Sequence, residues 1–256
     1  MIIQLYNGTV QLEFDERYHS FKYKGQKVLS VTAGTSVIDK SRPLIYWAVG
    51  LFKNHLMENL NELIDDKKGG KIVELIEEAS RQHSIRKKKA ADIGTQVHEW
   101  AEQFIKAKTK KDQPEIPKDP NVFNGVSAFL KWVDEYDVEF LSSERYVYSK
   151  KYHYAGIMDA EGIIRGKKCV IDFKTSKGIY SEMRFQVAAY QAAVEEETGK
   201  QYSGNKWLAR FGKEDGEFEA HEYDDHDKDF KAFLAALSLR RRLKELEIPY
   251  KKKNNV

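Results

Sequence analysis

Cysteine is almost missing from this chain: among its 256 residues, Cys169 is the only thiol. That excludes an internal disulfide framework, a zinc site built on several thiolates and a four-cysteine iron–sulfur cluster. No long hydrophobic run is present. The longest nearly apolar stretch, residues 44–52, is far too short to span a bilayer, so no membrane partner is expected. Charge of one sign is not in excess, since 43 Lys+Arg against 40 Asp+Glu leave +3. A basic coat is thereby excluded, and affinity for a polyanion must come from local clusters. Proline is scarce. Three of the five prolines (Pro114, Pro117 and Pro120) crowd one lysine- and acid-rich stretch that reads as a surface loop. The opening residues carry no basic region or small-residue cleavage site, and Glu13, Asp15 and Glu16 follow soon after. With no targeting signal visible, a reducing, cytoplasmic setting in a bacterium or phage is expected.

What is present is enough apolar residue, 41%, to build a core, and a change of period along the chain. Residues 2–6 and 9–14 flank Asn7-Gly8, a tight-turn pair that predicts a hairpin. Residues 21–24 and 27–32 predict a second strand pair, broken by Gly25. From Pro43, apolar residues recur at helical spacing, and helices are predicted over about 44–60, 72–84, 90–107 and 122–133. Strands are then predicted over 145–149, 154–164 and 168–173. A helix from about 181 to 197 is stopped by Gly199. Strands at 207–211 and 217–223 and a last helix complete the order. The expected organisation is one integrated α/β domain in four parts. Residues 1–41 form β-hairpins, 42–140 a helical segment carrying His98, 141–250 the core and 251–256 a basic tail.

The densest polar signal lies between Glu144 and Tyr190. In the run Val170-Ile171-Asp172-Phe173-Lys174, strand alternation points Asp172 and Lys174 the same way. Asp159 ends an adjacent strand, and a turn near Gly162–Gly166 would bring it back beside Asp172. Two carboxylates that close repel, and a divalent cation is the usual relief. An ion pair at a strand end is the plainer reading of Asp-X-Lys. Gln186 and Tyr190, four apart on the following helix, share a face, where packing on the sheet is the competing role.

Together, Gly156-Ile157-Met158-Asp159, Ile171-Asp172-Phe173-Lys174-Thr175 and Gln186-Val187-Ala188-Ala189-Tyr190 resemble the PD-(D/E)XK nuclease superfamily in its RecB-like exonuclease branch. Gly94-Thr95-Gln96-Val97-His98 matches the branch's upstream histidine helix, and Glu144 stands where many relatives have a glutamate before the first catalytic strand. The N-terminal part is similar to phage and mitochondrial genome-maintenance exonucleases. The resemblance implies a restriction-endonuclease-like mixed sheet flanked by helices, with 42–140 arching over the DNA path. It implies one or two Mg²⁺ or Mn²⁺ ions on His98, Asp159, Asp172 and the Phe173 carbonyl, with Glu144 as a further ligand. Lys174, with a lowered pKa, would orient or deprotonate the attacking water, while Gln186 and Tyr190 position the phosphate or Lys174. Products would carry a 5′-phosphate. The four cysteines of iron–sulfur relatives are missing here, and so is a helicase-like region, so a motor or recombination partner would be a separate protein.

Sequence-independent phosphate contacts are expected from Arg86, Lys87, Lys88 and Lys89, just before the His98 helix, extended by Lys106, Lys108, Lys110 and Lys111. Lys150, Lys151, Thr175 and Arg184 flank the catalytic strands. The expected activity is a DNA exonuclease acting on single strands or free ends, in repair, recombination or replication. A nicking or structure-specific endonuclease on the same centre is one alternative, and a catalytically silent DNA-binding recombination partner is the other.

Overall fold

The computed structural model of the protein describes residues 1–61, 70–107 and 112–253, with side chains as far as residue 247. Lys108, Lys110, Lys111 and the end of the basic tail lie outside the described residues. The chain divides into two compact units, one of Met1–Ile38 with Gln96–Val256, the other Asp39–Thr95.

The larger unit opens with an antiparallel meander: β1 (Ile2–Leu5), β2 (Val10–Asp15), β3 (Ser20–Tyr23) and β4 (Gln26–Ser30). In β2, buried and exposed residues alternate strictly, the period-two signature of a sheet with one covered face. Val10, Leu12, Phe14 and Phe21 pack there with Tyr148 and Ala155 of the core strands. The Asn7-Gly8 turn forms as expected, with positive φ at Tyr6, Asn7 and Gly8. Residues 31 and 32, expected to continue the strand, instead open a short helix, α1 (Val31–Thr35). The Ser30 hydroxyl accepts from the Ala33 N–H and so caps it.

In the smaller unit, α2 (Ser41–Glu58) buries none of its residues. His55 Nε2 lies 3.5 Å from Glu78 Oε2 of α3 (Gly70–Lys106). Two helices were expected over 72–107, and one continuous helix is found. The segment between them, Ile85-Arg86-Lys87-Lys88-Lys89-Ala90, consists mostly of strong helix formers with no breaker, so solvated lysines continue the helix rather than end it. The C-terminal part of α3 belongs to the larger unit.

There, α4 (Pro120–Glu135) is capped by Asp119, whose carboxylate accepts from the N–H groups of Asn121 and Val122. Next come β5 (Glu139–Ser149), β6 (Tyr154–Ile164), β7 (Lys167–Lys174), α5 (Ser181–Thr198), β8 (Lys206–Phe211), β9 (Phe218–Tyr223) and α6 (His226–Lys253). The left-handed Gly199 ends α5 as read. The strands make one mixed sheet ordered β1-β2-β3-β4-β6-β7-β8-β9, with β5 on β6. The β4–β6 and β7–β8 pairs are parallel and the rest antiparallel. On one face Tyr154, Met158, Val170 and Leu208 pack against Val187 and Tyr190 of α5 and Phe233 and Leu237 of α6. On the other, Phe173 and Phe211 meet Phe129 of α4 with ring centroids 5.6 and 5.3 Å away. This is the helix-flanked mixed α/β sheet expected from the sequence. Among the described residues no helix is long and apolar enough to cross a membrane.

Candidate active site

Three strands share β6. Strand β5 takes one edge along nearly its whole length, from Tyr154 to Ile163. The other edge is divided: β4 pairs only at Tyr154 and Ala155, and β7 pairs only from Ala160 onward. Between them, Gly156 to Asp159 has no ladder partner on that edge, because β4 has turned into α1 while β7 splays away. The candidate site lies in this fork.

Asp159 stands at its apex. Continuing the β6–β7 register one step beyond Ala160↔Ile171 sets Asp159 opposite Asp172. The Asp159 Oδ2 accepts the Phe173 N–H at 2.7 Å, a bond across the splay in place of the lost ladder. Its Oδ1 lies 3.6 Å from His98 Nδ1. His98 comes from α3, which approaches α4 closely: a Cβ on Gly125 would stand 2.6 Å from a Val97 methyl. Asp172 is buried, and its carboxylate pairs with the Lys174 ammonium, as alternation along the strand requires. Glu144, on β5, holds a left-handed φ of 48°, a conformation that costs a non-glycine residue energy.

Electrostatics binds these groups together. Burial, with the neighbouring charges of Asp159 and Glu102, pushes the Glu144 carboxyl up to about 7. Burial likewise raises Asp172, to about 6, with Lys174 pulling it back. Burial would raise Asp159 too, but His98 and Lys174 hold it below the usual carboxylate range. Burial would lower His98, but the charge and hydrogen bond of Asp159, with Asp172, leave it raised. Lys174 overturns an expectation. Burial would lower its pKa, but Asp172, Asp159 and Glu182 raise it, so the amine stays protonated in this arrangement.

Among the described residues, no three His, Cys, Asp or Glu side chains are gathered closely enough to hold a metal ion. The donor chemistry nevertheless fits a hard divalent cation: carboxylate oxygens and one imidazole, in a buried neighbourhood crowded with negative charge. Asp172 Oδ2 makes no hydrogen bond of good geometry and is neutralised by the Lys174 ammonium, which occupies the place of a counter-cation.

Tyr190 is buried beside the fork. A Cβ on Gly156 would stand 2.6 Å from its ring, so the glycine of Gly-Ile-Met-Asp admits the ring against β6. Burial, Asp172, Asp159 and Glu144 all raise its hydroxyl's pKa, which places it in the same charged neighbourhood. The Gln186 amide donates to Thr35 Oγ1 at 2.9 Å, tying α5 to α1 rather than reaching Lys174. Glu102, Glu182 and Thr35 were not read as part of this neighbourhood. Glu102, one turn beyond His98, could have been found by helical spacing. Glu182 and Thr35 carried no local signal.

The expected phosphate contacts fall in both units. Arg86, Lys87, Lys88 and Lys89 form an exposed cationic run on α3 in the smaller unit. Lys150 lies over the Tyr6 ring at 3.9 Å, and the Lys151 N–H donates to Glu196. The Arg184 guanidinium is engaged by Asp229 at 3.2 Å and by the Tyr223 ring at 4.3 Å. Thr175 lines a small cavity of about 170 Å³ with Lys177, Arg210 and Lys213, just past Lys174.

No family model matches the chain, and no curated protein shows significant similarity to it. Among solved structures it is similar to SSO0001, at 19% identity and a TM-score of 0.28 over 49% of this chain. The match spans 62% of SSO0001, less than two thirds of that chain. It is also similar to an alkaline exonuclease, LHK-Exo, from Laribacter hongkongensis, at 12% identity and a TM-score of 0.34, over 62% of this chain and 91% of that one. Likenesses this distant leave the chemistry to be argued from the fork itself.

Proposed function

We propose that this chain is a divalent-metal-dependent nuclease that hydrolyses phosphodiester bonds of DNA from the ends of single strands, leaving 5′-phosphates. The observation that carries the reading is the fork in the sheet, where Asp159, Asp172, Lys174 and His98 meet. Crowding carboxylates in a buried place is costly to the fold and is a mark of functional sites, where a divalent cation is the usual relief. A Mg²⁺ or Mn²⁺ ion that drew Asp159, Asp172 and His98 together around it, with Glu144 and the Phe173 carbonyl, would acidify a bound water and neutralise charge on the phosphate. The chain's own groups supply the rest. The Lys174 ammonium, held protonated, offers positive charge to a phosphate oxygen and a proton to hydrogen-bond with it. Tyr190 walls the cleft and excludes water. Gln186 acts through Thr35 by fixing α5 against α1. Arg86, Lys87, Lys88, Lys89, Lys150, Lys151, Thr175 and Arg184 belong to the reading as phosphate contacts.

Cleavage of end-labelled single-stranded DNA with and without Mn²⁺ tests it. Asp172→Ala and Lys174→Ala should abolish cleavage while leaving oligonucleotide binding in place. An Asp172→Ala variant that cuts at the wild-type rate ends the reading. A covalently closed single-stranded circle should survive, and its degradation would make the enzyme an endonuclease.

A further inference from the structure

Away from the fork, the larger unit carries a groove of about 820 Å³ between the β3–β4 hairpin, the β5–β6 turn and the end of α6. Four cations from separate elements line it: Lys24 and Lys27 on the hairpin, Arg241 and Lys244 on α6. Lys24 sits at the turn itself, where Lys24 and Gly25 take positive φ, and its exposed ammonium lies over the Tyr23 ring at 5.4 Å. Arg241 is fixed by donating to the carbonyls of Tyr152 and His153 at 2.6 and 2.9 Å, so its charge is held at the wall without a carboxylate partner. The two acids of the lining turn to their own helix: Glu245 pairs with Arg242 at 3.0 Å and Glu247 with Arg240 at 3.6 Å. Among the described residues, Lys24, Lys27 and Lys244 have no carboxylate partner. Aromatic faces complete the wall. Tyr23 packs on Tyr148 with centroids 5.0 Å apart, and the exposed His153 ring is fixed by the Tyr148 hydroxyl at 2.8 Å.

We propose that this groove binds single-stranded nucleic acid, its lysines and Arg241 taking phosphates and its Tyr23 and His153 rings taking bases. Cations without carboxylate partners set beside flat rings match a chain of phosphates and exposed bases, and the rings give it stacking that an acidic peptide would not use. The groove is distinct from the cleavage site. Leu29 pairs with Tyr154, and Asp159 lies five residues further along β6, about 17 Å at strand rise. Binding here rests on the groove alone. Its role in holding the strand being cut rests on the proposed nuclease reading.

The test is the full-length chain carrying Lys24→Glu, Lys27→Glu and Lys244→Glu, all exposed and remote from the fork. Fluorescent 20-mer oligo(dT) is titrated in chelator from 50 to 300 mM salt, and cleavage of a tetranucleotide is followed separately in Mn²⁺. Affinity should fall at least tenfold at 100 mM salt, and the slope of log K against log salt should shallow by about 2, near 0.7 for each lost contact. Tetranucleotide cleavage, too short to reach the groove, should be unchanged. Unaltered affinity and slope would overturn the proposal, as would wild-type binding of a poly-glutamate peptide as tight as that of the oligonucleotide. If the wild type binds but never cuts, the groove stands and the nuclease reading falls. If it cuts and the variant binds equally well, the groove falls alone.

Discussion

Replacing Glu144 with glutamine tests the crowding of charge at the fork. Burial, with Asp159 and Glu102 nearby, moves the Glu144 carboxyl from 4.5 to about 7. The folded state therefore keeps a proton that the unfolded chain releases between those pH values. Stability falls as pH rises through that window, and above about 7 the deficit is complete. At about 1.4 kcal/mol for each tenfold change in proton affinity, the deficit has a ceiling near ~3 kcal/mol. Solvent reaches this half-buried group, and screening reduces the expected value to about 1–2 kcal/mol. Glutamine keeps the shape and loses the charge, while the left-handed backbone at 144 is common to both proteins and cancels. Urea unfolding in chelator is the assay. At pH 8.5 the Glu144→Gln variant should be the more stable, its midpoint rising by about 0.5 M for a slope near ~3 kcal/mol/M. At pH 4 the two should coincide. An equal gain at both pH values, or none at pH 8.5, refutes the reasoning.

Three other outcomes follow from the packing. Lys206 is fully buried with Asp229 at 3.5 Å, so Asp229→Ala, which strands that ammonium, should cost about 3–5 kcal/mol, whereas Lys206→Met should fall within about 1 kcal/mol of wild type; equal costs in urea unfolding would refute this. Gly156→Ala drives a methyl to 2.6 Å from the Tyr190 ring and should cost about 1–3 kcal/mol, with a less than additive loss in the Gly156→Ala, Tyr190→Ala double variant; strict additivity would show that the two do not touch. Burial would raise Glu161, but Lys168, Tyr202 and Arg145 hold it below 4.5, so its contribution is present above that pH and lost as pH falls through the lower folded value. Glu161→Gln should flatten the acid limb of the stability profile below pH 4.5, and an unchanged limb would remove the group from the account.

Period and turn chemistry made much of the architecture legible. Asn7-Gly8 set the first hairpin, Gly199 stopped α5, and alternation placed Asp172 and Lys174 on one face. What escaped was decided by neighbours distant in sequence. Val31 and Thr32 have strand propensity, but the Ser30 cap draws them into α1. The lysine run at 86–89 looked like a break and is continuous helix. At the site, spacing could not reveal the left-handed turn at Glu144, nor that three carboxylates would keep Lys174 protonated rather than lower its pKa. Arg184 read as a surface cation, and only the fold brings Asp229 and Tyr223 against it. Local rules see one element at a time, whereas a charge's state depends on every element that surrounds it.

The short parallel pairing of β4 with β6 also governs how this protein can assemble. Leu29 and Tyr154 stand about 125 residues apart in the chain. During synthesis the N-terminal meander is complete long before its neighbour exists, and its last strand must wait with an unsatisfied edge. Closing so long a loop is a late, slow event that local helix formation cannot hasten. Since the fork exists only once β4 has docked, a nascent or truncated chain ending before β6 would have no fork at all, and the activity proposed for it would arrive abruptly, with the final shape.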